Sequence, residues 1–242
     1  MKKILLLCGA LLALSASAAL AAGINLSYND CGTFGTETRT FACNNNTGTN
    51  TTVASYVAPA GVNEFLSVES ELEIQSDSAT LPDWWKYKNA GTCRIAALTS
   101  SADFTAGPFN CADFWAGGAT GSIASYIVGY NGPNRAYCKL VWAVGASARG
   151  PLTADVEYYA YKLSWNNSKS IGLGSCAGCL TGVCVNLRNI KLVQPSVLND
   201  NRLLTNPANR AYVRWQTATD VACLGATPAR NSTWGSVKAL YR

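Results

Sequence analysis

The chain reads as an all-β protein: an antiparallel β-sandwich of jelly-roll-like type whose loops are stapled by disulfides. Three observations predict this. Apolar residues recur with a period of two along most ordered-looking runs. The chain holds ten cysteines, nine of them beyond the leader, and no histidine. Only 14% of residues are charged, while Asn, Ser, Thr and Gly are abundant, as on many extracellular β proteins.

The N-terminus reads as an export signal over residues 1–21. Met1-Lys2-Lys3 is a basic start, Ile4 to Leu14 an apolar stretch too short to span a bilayer, and Ala19-Leu20-Ala21 a small-x-small cleavage pattern. Ala16-Ser17-Ala18 is an alternative site, and Cys8 is a residue of the leader's apolar run. A secreted or periplasmic location follows. Residues 22–242 are expected to form one β-sandwich domain, since no linker or repeat divides them. No later run reaches ~18 apolar residues, so no membrane span is expected. Losing Lys2 and Lys3 lowers the formal charge from +5 to +3, and without a Lys/Arg cluster no nucleic-acid partner is expected.

Along the mature chain, Asn44 to Thr52 reads as a polar loop and Val53 to Val57 as an edge strand. From Leu66, the apolar Leu66, Val68, Leu72 and Ile74 alternate with Ser67, Glu69, Glu71, Glu73 and Gln75, a strand with one buried face. Further strands are read at Ile123–Tyr130, Arg135–Val144, Val156–Trp165, Val183–Val193, Ala211–Thr217 and Trp234–Tyr241. Asn131-Gly132-Pro133-Asn134, Ala148-Arg149-Gly150-Pro151 and Asn166-Asn167-Ser168 carry turn chemistry. Ala112–Ala116 and Pro195–Leu204 are short helical candidates. The long connections over 77–95 and 98–120 favour a jelly roll over an immunoglobulin-like sandwich.

The mature cysteines are Cys31, Cys43, Cys93, Cys111, Cys138, Cys176, Cys179, Cys184 and Cys223. An odd count leaves one unpaired. Cys138 is the candidate free thiol, because it alternates with Leu140 and Trp142 on a buried face. Eight cysteines allow 105 connectivities. Short loops favour Cys31–Cys43 and Cys93–Cys111, leaving Cys176, Cys179, Cys184 and Cys223 to pair among themselves. Cys176-Ala177-Gly178-Cys179 also matches a CxxC redox pair or half of a thiolate zinc site. A strand pattern follows it rather than a helix start, so a disulfide knot is the expectation, with no metal and no cofactor. Gly172-Leu173-Gly174 lacks the βαβ context of a dinucleotide loop.

Without histidine, Ser-His-Asp and Cys-His catalysis and histidine-ligated metals are excluded within this chain. The surviving enzymatic option is carboxylate chemistry, a glycosidase or polysaccharide lyase using the face of Glu69, Glu71 and Glu73, spaced by about 7 Å. Asp155 and Glu157 are the other close acidic pair. The competing reading of the three glutamates is a solvated face guarding an exposed edge. For recognition, Trp84, Trp85 and Tyr87 lie in a loop marked by Pro82 and Asn89-Ala90-Gly91 and are the candidate binding platform. Tyr158, Tyr159, Tyr161 and Trp165 read as core, the last three on one strand face. Asn25, Asn45, Asn50, Asn166 and Asn231 head glycosylation-type triplets.

The leading expectation is a secreted, non-catalytic protein that binds an extracellular glycan or protein surface through loop aromatics. The alternatives are a self-assembling surface or filament subunit, and the carboxylate enzyme.

Overall fold

The computed structural model describes residues 21–28, 31, 36–105 and 111–223. Residues 1–20 of the expected leader, the strand read at Trp234–Tyr241 and Asn231 lie outside the described residues. Two sheets pack face to face. The smaller has the order β1-β3-β8-β5, from β1 (Gly23–Tyr28), β3 (Thr49–Val57), β8 (Glu157–Asn166) and β5 (Leu98–Ser101). The larger has the order β2-β11-β9-β4-β7-β6, from β2 (Thr38–Arg39), β11 (Tyr212–Trp215), β9 (Val183–Val193), β4 (Ser67–Ser76), β7 (Arg135–Ala143) and β6 (Thr120–Val128), with β10 (Arg202–Leu204) also paired to β9. All pairings are antiparallel except β2 with β11. This is the jelly-roll-like antiparallel sandwich that the alternation predicts.

Strand β7 shows why these residues make strands. Ala136, Cys138, Leu140 and Trp142 point inward and are buried, while the residues between them are half-exposed. In β4 the inward set is Val68, Ser70, Leu72 and Ile74. Ser70 is satisfied across the sandwich by the Tyr161 hydroxyl at 2.6 Å, so the one polar inward position ties the sheets together.

Several expectations change. Val53 to Val57 belongs to β3, an interior strand that starts at Thr49, because β1 covers its other side. Strand β1 itself is hidden in the sequence directly behind the leader pattern. Ala112–Ala116 forms no helix but leads into a turn, and Pro195–Leu204 is a loop leading into β10. The register of β3 with β8 slips at Ala160, which leaves Tyr161 facing the core and turns Tyr159 to the opposite face, against Phe104.

The disulfides are Cys31–Cys111, Cys43–Cys179, Cys93–Cys176 and Cys184–Cys223. The expected local pairs Cys31–Cys43 and Cys93–Cys111 do not form, and of the last four only Cys184 and Cys223 pair with each other. Strand register overrides chain proximity. Pairing of β3 with β8 sets the approach to Thr49 beside the loop after Asn166, so Cys43 meets Cys179. Cys176 and Cys179 bond to different loops, which removes both the redox and the zinc readings of this CxxC.

Cys138 carries no disulfide and is fully buried. Burial pushes its thiol up to about 12 from an ordinary value of 9.0, against a weaker downward pull from Lys88. A raised folded value means that the neutral thiol's contribution is complete below the unfolded value near 9 and is lost as pH climbs toward 12. Buried Tyr28, Tyr87 and Tyr161 shift in the same direction. We expect a thiol reagent at about pH 8 to leave the native protein, prepared without residues 1–21 and so without Cys8, unlabelled and to label a single thiol once it is unfolded without reduction. Rapid native labelling would contradict the burial.

Candidate functional site

The loop aromatics do not form a surface platform. Trp84, Trp85 and Tyr87 are all fully buried. A 3₁₀ turn over Asp83–Trp85 folds both indoles into one end of the sandwich. Trp84 lies 4.9 Å from Trp215, and Trp85 lies 5.3 Å from Trp215 and 6.1 Å from Trp165. Phe41 closes the stack on Trp215 at 3.8 Å. The expectation of an exposed platform fails because this end of the sandwich is wide and the loop's largest apolar groups fill it.

The glutamates lie elsewhere than expected. Strand β4 is interior to the larger sheet, between β7 and β9, so Glu69, Glu71 and Glu73 guard no edge. They form a row on the sheet's outer face, and register supplies each with neighbours. Glu69 faces Lys191 on β9, with Lys191 and Lys139 at 3.8 and 3.5 Å from its carboxylate. Glu71 accepts a hydrogen bond from Asn189 Nδ2 at 2.8 Å. Glu73, 5% exposed, holds Arg135 at 3.2 Å. Asp155 and Glu157 belong to the other sheet's side of the molecule, where Glu157 accepts from Ser55 at 2.5 Å and Asn25 at 3.3 Å.

A groove of about 410 Å³ opens on the outer face of the larger sheet. Its floor is Glu71, Glu73, Arg188 and Asn189; one wall is Tyr130 and Asn131 on the β6–β7 hairpin with Tyr137 on β7; the other is Thr205 and Pro207 beyond β10. The sequence explains the shape. Gly129, Asn131 and Gly132 take positive φ in the hairpin, so the turn closes tightly and carries Tyr130 out over the face. On β9 the register with β4 slips between Glu71 and Leu72, leaving Arg188 as an extra residue at the groove floor.

Tyr130 is 44% exposed, and its ring lies 4.8 Å from that of Tyr137. Burial, then its hydrogen bond to Glu71, drives the Tyr137 hydroxyl well above the usual phenol range, so it remains a proton donor. The groove thus combines an exposed ring, fixed carboxylate and amide groups and one cation. Sequence reading found Glu71 and Glu73 but missed Tyr130, Tyr137, Arg188 and Asn189. Tyr130 beside a turn was legible; the bulge at Arg188 was not. Among the described residues, no group of three or more acidic or cysteine side chains is placed to hold a metal. Likewise, no helix among them is long and apolar enough to cross a membrane.

No protein-family model matches the chain, and no curated protein matches its sequence. Solved structures that resemble it in shape include the following three. A cohesin module from a Clostridium perfringens family 33 glycoside hydrolase is 10% identical with a TM-score of 0.37, covering 81% of this chain and 98% of that one. A type I cohesin–dockerin complex from Clostridium thermocellum is 8% identical at 0.34, covering 80% and 98%. A type I cohesin from Pseudobacteroides cellulosolvens is 8% identical at 0.29, covering 87% and 98%. No residue assignment follows from them.

Proposed function

We propose that this protein is an exported, non-catalytic recognition module that holds a polyhydroxylated ligand, an extracellular glycan, in the groove on its larger sheet. The observation that carries the reading is Tyr130, an exposed ring beside Tyr137, set over a row of hydrogen-bonding groups. A sugar offers an apolar ring face to a flat aromatic and hydroxyls to carboxylates and amides. Four disulfides support an oxidising destination, and the leader read over residues 1–21 supplies the route. The carboxylates favour binding over turnover. Hydrolysis needs an acid and a base on opposite sides of the scissile bond, whereas Glu71 and Glu73 share one strand and one face, with Glu73 committed to Arg135.

Tyr130→Ala and Glu71→Gln test it, read by calorimetry and a glycan array. The wild type is expected to bind a subset of glycans without cleaving them, and each variant to bind about tenfold more weakly, with an unchanged melting temperature. Equal binding by both variants would remove the groove from the function. Release of reducing ends that Glu71→Gln abolishes would make the protein an enzyme instead.

A further inference from the structure

The end of the sandwich that carries the long β4–β5 and β8–β9 connections presents four large apolar side chains to solvent: Ile95, Ile171, Leu173 and Leu180. Leu173 is the extreme case, at 110% relative exposure, so no other part of the described chain packs on it. It sits at the crown of a turn between Gly172 and Gly174, both at positive φ, closed by the Ser175 amide on the Gly172 carbonyl at 3.1 Å. The turn is braced from below. Cys176 is bonded to Cys93 and Cys179 to Cys43, while Ile171 and Asn46 exchange hydrogen bonds of 3.0 and 3.1 Å. An apolar prominence this exposed contributes nothing to the core, yet two disulfides hold it in place.

Of the three carboxylates near it, Asp83 is paired with Lys86 at 2.7 Å and Asp220 with Arg214, while Asp77 accepts hydrogen bonds from Thr219 and keeps its charge, so two further lysines leave one positive charge in excess. Lys88 and Lys169 stand exposed beside the prominence. The Lys88 amide bonds the Ile95 carbonyl, and Lys169 Nζ reaches the Cys93 carbonyl at 2.8 Å, so both are fixed to the same braced loops. A convex apolar tip with cations at its base matches the layering of a bilayer surface that carries anionic headgroups over acyl chains. Bracing lowers the ordering cost of insertion.

We propose that this end of the sandwich is a membrane-contact site. Leu173, Leu180 and Ile171 enter the interface of a bilayer containing anionic phospholipid, and Lys88 and Lys169 contact its headgroups. The site is separate from the groove and does not depend on what the groove binds. The test is co-sedimentation of the oxidised mature protein with vesicles of phosphatidylcholine, alone or with a quarter phosphatidylglycerol. The expected result is binding to the mixed vesicles about tenfold stronger than to phosphatidylcholine alone, falling off with salt. Leu173→Ser with Leu180→Ser is expected to lower binding to mixed vesicles by about tenfold or more. Both side chains are exposed, so the melting temperature should not move, and Tyr130→Ala should bind vesicles like the wild type. No binding to mixed vesicles, equal binding to both kinds, or undiminished binding by the double serine variant would each overturn the proposal.

Discussion

Replacing Arg94 with alanine is expected to destabilise the protein by about 3–5 kcal/mol, among the largest effects available to a single substitution here. Arg94 is 2% exposed, and among the described residues no carboxylate neutralises it. Its guanidinium lies 3.4 Å over the Trp84 ring. It donates to the Trp84 carbonyl at 2.7 Å, the Ser168 carbonyl at 3.0 Å, the Tyr87 hydroxyl at 3.3 Å and the Asn166 carbonyl. One side chain therefore joins the β4–β5 loop to the end of β8. Alanine would take a donor from one buried carbonyl, that of Trp84, and from two part-buried ones, those of Ser168 and Asn166, at about 1–3 kcal/mol for a carbonyl left fully unmet, and would remove the cation–π contact. Water entering the void would recover part of that loss. Lysine should rescue little, because an ammonium cannot reproduce the flat fork that points at three carbonyls at once. Guanidinium unfolding of the wild type, Arg94→Ala and Arg94→Lys measures this. A loss below about 1 kcal/mol for alanine would show that the cage is not what closes this end.

Arg94 also marks where sequence reading stops. The alternation in Arg135–Ala143 and Ser67–Ser76 places the inward side chains of β7 and β4 directly, because a strand's two faces are written in its own residues. Much of the sandwich was legible in that way. The burial of Trp84 and Trp85 was not, since it depends on Trp215, Trp165 and Phe41 arriving from distant parts of the chain. Local chemistry marks a loop with two indoles as exposed; only the assembled sandwich shows that its end needs filling. The groove divides similarly. The glutamate row is an alternation and could be read. Its partners Asn189 and Arg188 depend on the register of β9 against β4 and on a one-residue slip within it. The disulfides failed to be legible for the same reason: shortest-loop pairing is the best guess only when no register intervenes.

Cys43→Ala with Cys179→Ala is expected to cost about 3–5 kcal/mol, and more than Cys184→Ala with Cys223→Ala. The first bridge spans 136 residues and the second 39, so chain entropy alone separates them by about 1 kcal/mol. Packing adds to the difference. Cys43 follows Phe41, whose ring is stacked on Trp215, and Gln216 exchanges hydrogen bonds with the Phe41 backbone at 3.2 and 3.1 Å and reaches the Cys179 carbonyl at 3.2 Å. Opening this bridge frees the arm that closes the aromatic end. The Cys184–Cys223 bridge pins the helical turn Asp220–Cys223 to the outer face of β9, where, among the described residues, the apolar groups packed with it are Ala222 and Tyr212. Denaturant unfolding of the two double variants gives the order, and equal losses would mean that the arm is held by packing alone. The single variant Cys43→Ala separates the terms further. It leaves Cys179 free three positions from Cys176, so thiol exchange with the Cys93–Cys176 bridge becomes available. Non-reducing mass mapping should then find a Cys93–Cys179 species that is absent from the double variant. If the single variant keeps Cys93–Cys176 intact, the loop is rigid enough to hold the two sulfurs apart without its second staple.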